Sequence, residues 1–420
     1  MGPAYRITAR VIHRLPFPRS TLAASLAGRA GAWARWRGWA AARRRADPLV
    51  WVHAPSVGEA LMLAPIIGRL RARAPSLQFV LTHTSPSVAA RAWRDYRQVD
   101  FLPLDEPGPV TATLEALRPD LLLFGRGDLW PELVTRAADA GVPVVVAGAT
   151  VRPRSGRLRW PIRRVLAAAH REVCWLGAVT GDDAERWRRM GVPTERIEVT
   201  GDPRHDHVVE RILDVGDAVA TARAWARGSF TVVAGSVERA DELMLARVAA
   251  RRRSAGWRWL VVPHDPDERT VERLTRLFRD GGCSVRPWEG LGGDLPRDLD
   301  AVVVARRGAL ADLYLAADAA FVGGGGRPGR LHAVCEPAAL GIPVVAGPHA
   351  PGDRDFASLA RGGGAVQASD DATLGAALDA WATGIAQRRR AGRAARAGLD
   401  AGAAERTAAR ITPLLTDTSG

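Results

Sequence analysis

The chain of 420 residues is long enough for two domains with separate cores, and 47% apolar with 25% charged content excludes a disordered protein. The formal charge of +14 points first to an anionic partner, but every basic residue is arginine, lysine and asparagine are absent, and no aromatic RNA-binding run accompanies the charge. Cys174, Cys283 and Cys335 are far apart and lack ligand spacing, so neither zinc nor a disulfide framework is indicated, and no run reaches the roughly 18–20 apolar residues of a membrane span.

The first 48 residues hold ten arginines and one acid, Asp47. In "GAWARWRGWAAARRR" (31–45), helical spacing puts Trp33 and Trp36 on one face, with arginines between. That composition suits an interfacial helix on an anionic bilayer. A helix packed on its own domain with solvated arginines fits the pattern equally. Residues 1–47 are set apart as this basic segment, a candidate membrane-surface anchor.

From residue 49, short apolar runs alternate with helical patterns. The runs are "PLVWVHA", "LQFVLTH", "VDFLPL", "DLLLF", "VPVVVAG" and "EVCWLGAVT". Between them, helices are predicted at 59–73, 86–95, 108–117 and 129–140. Strands this apolar predict a parallel sheet covered on both faces. A second series begins near 229, with "FTVVAG", "WRWLVVP", "AVVVA", "AAFVGG", "IPVVAG" and "GAVQA", and with helices in "ERADELMLARVAARRR" and "DERTVERLTRLFRD". This gives an α/β fold of two doubly wound Rossmann-like domains, 48–206 and 207–390, facing across a cleft. An Ala/Arg-rich helix and tail follow at 391–420. In such sheets, ligands bind at the carboxyl ends of the strands.

Three strand ends carry candidate chemistry. In "SVGEA", Ser56 can cap a helix, Gly58 permits a tight turn, and Glu59 falls in the first turn. Ser56-x-x-Glu59 reads as a capping box, or Glu59 is an ionised base at a cleft mouth. In "GSVERADE", Gly235 and Ser236 are expected to open a helix and present N–H groups to a phosphate. In "FVGGGGRPGRLHAVCEPAALG", the glycines at 323–326 allow close backbone approach to a ligand. Arg327 and Arg330 can meet phosphate, and Glu336 can accept sugar hydroxyls. No GxGxxG opens a βαβ unit with a following acid, and P-loop and nucleophile-elbow motifs are missing.

The pieces "WVHAPSVGE", "THTSPS", "FLPLDEPG", "DLWPEL", "VTGDPRHD", "YLAADAAFVGG" and "HAVCEPAALGIPVVAGPH", in this order from about residue 24 to 390, resemble the 3-deoxy-D-manno-octulosonic acid (Kdo) transferases, which have the GT-B fold. The resemblance implies an inverting, metal-independent transfer of Kdo or a related sugar from a CMP-activated donor to a lipid A precursor. It implies no cofactor, and a peripheral site of action at the cytoplasmic face of the bacterial inner membrane. Glu59 and Asp128 would be catalytic. Arg204, Gly235, Ser236, His264, Gly324, Gly325, His332 and Glu336 would bind the donor, and Ser56, Gly58 and Trp130 the acceptor. Expected partners are donor, acceptor and an anionic membrane surface, with no nucleic acid. The chain departs from the family pattern at Arg126, at His264 and in "GSVERADE" and "RLHAVCEP". The alternative reading is a degenerate GT-B protein that binds a sugar nucleotide or lipid without transfer.

Overall fold

The computed structural model describes residues 21–43, 47–211, 217–289 and 295–416. The chain forms two units, one running to His207 and resuming at Ala401, the other Val208–Asp400.

In the first unit seven strands, β1 (Leu49–His53), β2 (Gln78–His83), β3 (Gln98–Phe101), β4 (Leu121–Gly125), β5 (Val144–Ala149), β6 (Val173–Ala178) and β7 (Ile197–Val199), make one sheet. Its order is β3-β2-β1-β4-β5-β6-β7, parallel throughout. Every residue of β1, β4 and β5 is buried, because helices cover both faces. The direction of winding reverses between β1 and β4, so the loops after these two strands flank the point where such folds bind ligands.

The second unit repeats the plan with β8 (Thr231–Val237), β9 (Arg258–Pro263), β10 (Val285–Trp288), β11 (Ala301–Val304), β12 (Ala319–Val322), β13 (Val344–Ala346) and β14 (Ala365–Gln367). The order is β10-β11-β9-β8-β12-β13-β14, again parallel. The reversal lies between β8 and β12. Two such Rossmann-like domains in tandem are the pattern of the GT-B class.

Every predicted apolar run becomes a strand. The two strands without a predicted counterpart, β7 and β10, are edge strands. Ile197 and Glu198 are only half-buried, and Arg286 and Pro287 are exposed, so neither strand reads as a continuous apolar run. The helix expected over 86–95 is one turn, Pro86–Ala89. The Trp93 indole N–H takes the Val88 carbonyl at 2.9 Å, the acceptor that the next helical turn would need.

The helix Ala32–Ala41 is seated in its own domain. Ala32, Trp36 and Ala40 are buried in the core, and Trp36 Nε1 donates to the Phe101 carbonyl at 3.0 Å. Arg35 pairs with Asp100 through Nε at 2.6 Å. Trp33 stays half-exposed with the Arg37 guanidinium 5.1 Å from its ring centroid. The packed-helix alternative therefore describes this helix, and Trp36 is not on an outward face. Residues 1–20 and 44–46 of the basic segment lie outside the described residues.

The carboxyl-terminal stretch divides at 400. The helices Asp371–Thr383 and Ile385–Ala397 belong to the second unit, and Ala403–Thr416 to the first. There Ala404, Ala408 and Ile411 share a core with Met62, Ile66 and Ile67 of the helix Val57–Arg73. Buried Asp206 caps the last helix by accepting the Gly402 and Ala404 N–H groups at 2.8 and 3.1 Å. The terminal helix thus buttresses the helix that carries Glu59.

Candidate active site

Glu59 sits in the first turn of Val57–Arg73, six residues beyond the last residue of β1. The Ser56 side chain caps no helix N–H, and its hydroxyl is directed at the Glu59 carboxylate instead. This is not a capping box, and the hydrogen bond holds Glu59 by its own oxygen. Gly58 has ordinary helical backbone, so no tight turn depends on it. A side chain there would meet nothing closer than Ser56 Oγ at 3.9 Å.

The turn after β4 is strained. Arg126 and Gly127 both have positive φ, 61° and 111°, which is costly for the arginine. A Cβ on Gly127 would run into the Trp187 ring. The turn is pinned from both sides, by Arg126 N–H to Ala147 O at 2.9 Å and by Thr150 N–H to Arg126 O at 3.1 Å. Its product is the placement of Asp128.

Asp128 is oriented by a chain of buried groups. Trp51 Nε1 donates to Thr82 Oγ1 at 2.9 Å, and Thr82 Oγ1 is 3.0 Å from His53 Nδ1. The Thr82 hydroxyl donates to the Val52 carbonyl at 3.3 Å, and His53 Nε2 stands 3.5 Å from Asp128 Oδ2. The same oxygen accepts the Trp130 indole N–H at 3.2 Å. Burial pushes the Asp128 carboxyl up. His53, Trp130 and Arg157 outweigh it and hold the group below the ordinary aspartate value. Trp130 therefore acts on Asp128, and the Arg29 guanidinium lies 4.0 Å from its ring centroid.

Glu59 and Asp128 line one basin of about 740 Å³, together with Arg126, Arg152, Arg154 and Arg157. Two carboxylates set among four cations can abstract a proton and hold an anionic ligand. His53 and the arginines at 152–157 were missed from sequence. His53 ends a buried strand just before "APSVGE", which is the position where this fold class puts function. Arg204, expected at the donor, holds buried Asp202 through Nε and Nη2 at 2.9 and 2.6 Å.

In the second unit, Gly235 and Ser236 are the end of β8 rather than the start of a helix, which begins at Glu242. Ser236 takes φ 51° where the register with β9 shifts. The buried Asp241 carboxylate collects the Glu238 and Gly324 N–H groups, both at 2.9 Å, so it ties the β8 loop to the β12 loop. The close approach of the glycines is to neighbouring backbone. A Cβ on Gly324 would meet the Arg330 carbonyl, and one on Gly325 the Gly347 nitrogen at 2.6 Å.

Beside these loops, His332 Nε2 lies 3.1 Å from Glu238 Oε1, which also accepts Arg330 Nη2 at 2.9 Å. His264 stacks on His332 with centroids 4.3 Å apart. Burial lowers the His332 pKa. For Glu238, burial acts upward, and Arg330 and His332 bring the group below its ordinary value. Glu336 lies in the first turn of Cys335–Ala339, raised chiefly by burial, with Arg211 opposing and Asp312 adding. Arg327 is exposed. A separate hollow of about 540 Å³, lined by Thr231, Asp318 and Arg388 among others, opens at the amino ends of β8 and β12, the wrong end of a parallel sheet for ligand chemistry.

Among the described residues, no helix is long and apolar enough to cross a membrane. Residues 30–207 match the family described as 3-Deoxy-D-manno-octulosonic-acid transferase (kdotransferase). A 3-deoxy-D-manno-octulosonic acid transferase of Bordetella pertussis is 31% identical over 382 residues, 85% of each chain. Another, of Chlamydia muridarum, is 27% identical over 326 residues, 75% of this chain and 73% of that protein. The solved structure of a glycosyltransferase from Rickettsia africae superimposes with a TM-score of 0.61 at 10% identity, covering 89% of this chain and all of that one, which speaks to the fold alone. On this similarity, the chain belongs to the 3-deoxy-D-manno-octulosonic acid transferase family of glycosyltransferases.

Proposed function

We propose that the protein transfers Kdo, or a closely related sugar, from a CMP-activated donor to a hydroxyl of a lipid A precursor at the inner face of the bacterial inner membrane. The observation that carries this reading is the placement of Glu59 and Asp128 in one arginine-lined basin at the switch point of the first sheet. Glu59 takes the proton of the acceptor hydroxyl. That oxygen attacks the anomeric carbon, the bond from this carbon to the phosphate oxygen breaks, and CMP leaves with inversion. The arginines of the basin hold the anionic groups of the acceptor, and Asp128, set by His53 and Trp130, orients it.

The donor belongs to the second unit in this proposal. Glu336 is placed to accept sugar hydroxyls, and the linked loops after β8 and β12 form the floor. The proposal assigns charge stabilisation to arginine and backbone N–H groups rather than to a metal. Preorganised charge of this kind is usually the largest contribution to such catalysis.

The test is transfer by purified Glu59→Gln. Removing a general base lowers the rate by roughly 10²–10⁴-fold, with CMP binding by calorimetry unchanged. Near-normal transfer by this variant overturns the assignment. One observation favours a second reading, a binding protein without transfer: the Glu238 carboxylate engages the Arg330 guanidinium and the His332 ring, two groups that a phosphate would otherwise meet. CMP binding without turnover on any lipid A acceptor supports that reading.

A further inference from the structure

The segment 151–171 carries seven arginines and no acid. Within it, Trp160, Ile162 and Val165 are 67%, 47% and 41% exposed. Ile162 and Val165 stand one turn apart on the helix Ile162–Arg171, so they share a face. The carboxyl-terminal end of that helix is seated, with Ala169 and His170 buried. The exposed apolar side chains therefore belong to a fixed element.

Arginines flank these side chains. Arg35 pairs with Asp100, Arg252 with Asp379 and Arg273 with Glu242. Among the described residues, the guanidinium groups of Arg159, Arg163 and Arg164 have no such partner. Two more arginines of the segment, Arg152 and Arg154, line the basin that holds Glu59.

We infer that the 152–165 edge of the first unit docks on an anionic lipid bilayer. Trp160, Ile162 and Val165 enter the boundary between headgroups and acyl chains, and the arginines meet lipid phosphates. A second copy of the same patch is a poor partner, because it sets like charges face to face. Nucleic acid gains from stacking on Trp160 but nothing from the aliphatic pair. The docking face continues into the basin, so it rests in part on the proposed lipid acceptor. It differs from the Trp/Arg helix at 32–41, whose Trp36 is buried.

The full-length chain is tested by sedimentation with vesicles of phosphatidylcholine, with and without phosphatidylglycerol. Two triple variants are compared, Trp160→Ser/Ile162→Ser/Val165→Ser and Arg159→Gln/Arg163→Gln/Arg164→Gln. Wild type partitions onto the anionic vesicles and is released by salt. Each variant binds them at least about tenfold less, since one arginine near such a surface is worth roughly fivefold. Thermal midpoints stay unchanged, which separates lost docking from lost folding. Unchanged vesicle binding by both variants overturns the inference, as does wild type that ignores lipid charge or leaves the vesicles for added RNA. Transfer to a deacylated, water-soluble acceptor is measured alongside. If wild type fails there but still docks, the proposed reaction falls and the docking face stands.

Discussion

His53 Nε2 stands 3.5 Å from Asp128 Oδ2, and the imidazole comes from a fully buried position at the end of β1. The pair crosses the switch point of the first sheet, since β1 and β4 are neighbours there. His53→Ala removes a group that holds the Asp128 carboxyl below its ordinary value. The expected result is a loss of about 10–100-fold in kcat from misplacement. The acid limb of the pH–rate profile should also move upward, whereas a purely structural defect would lower the profile without shifting it.

Trp36 is fully buried, and its indole N–H is bonded to the Phe101 carbonyl. Trp36→Ala should cost about 3–5 kcal/mol, as large-to-small core changes do. Denaturant unfolding would read this directly. A change under 1 kcal/mol would place the helix Ala32–Ala41 outside the core.

Asp206 accepts two N–H groups at the start of the terminal helix. Asp206→Ala leaves them without that cap and should destabilise by about 1–3 kcal/mol. Hydrogen exchange should rise first at 402–416 and then along 57–73, which shares its core.

Burial pushes His83 and His170 down to about 4. Both are neutral in the native state near neutral pH, and the unfolded chain takes up their protons near 6.5. Native stability is therefore full above about 6.5 and falls as pH drops from there to about 4. Asp202 acts in a lower window. Burial raises it, but Arg204 brings it below its ordinary value, so its contribution is present above about 3.9 and is lost at lower pH. Unfolding midpoints across pH 4–7 should slope upward with pH, and His170→Gln should flatten the slope.

Much of this architecture could be read in one dimension. The runs "LVWVH" and "LLLF" are apolar on both faces, and only a parallel sheet under two layers of helix accommodates that. The position of Glu59 in a first turn was equally plain, because a strand, a short loop and a helical pattern meet at "SVGE". Edge strands β7 and β10 were invisible for the same reason in reverse, since half of each faces solvent.

The sequence by itself determined the class of fold, the strand ends that carry the candidate chemistry, and the first-turn position of Glu59, because burial writes a local pattern of apolar residues. Only the tertiary structure decided that His53 serves Asp128, that Ser56 holds Glu59 instead of a helix N–H, and that Trp36 faces inward while Trp160 faces out. These facts depend on which side chains meet across strands far apart in the chain. Spacing along a sequence carries no information about such meetings until packing brings them together.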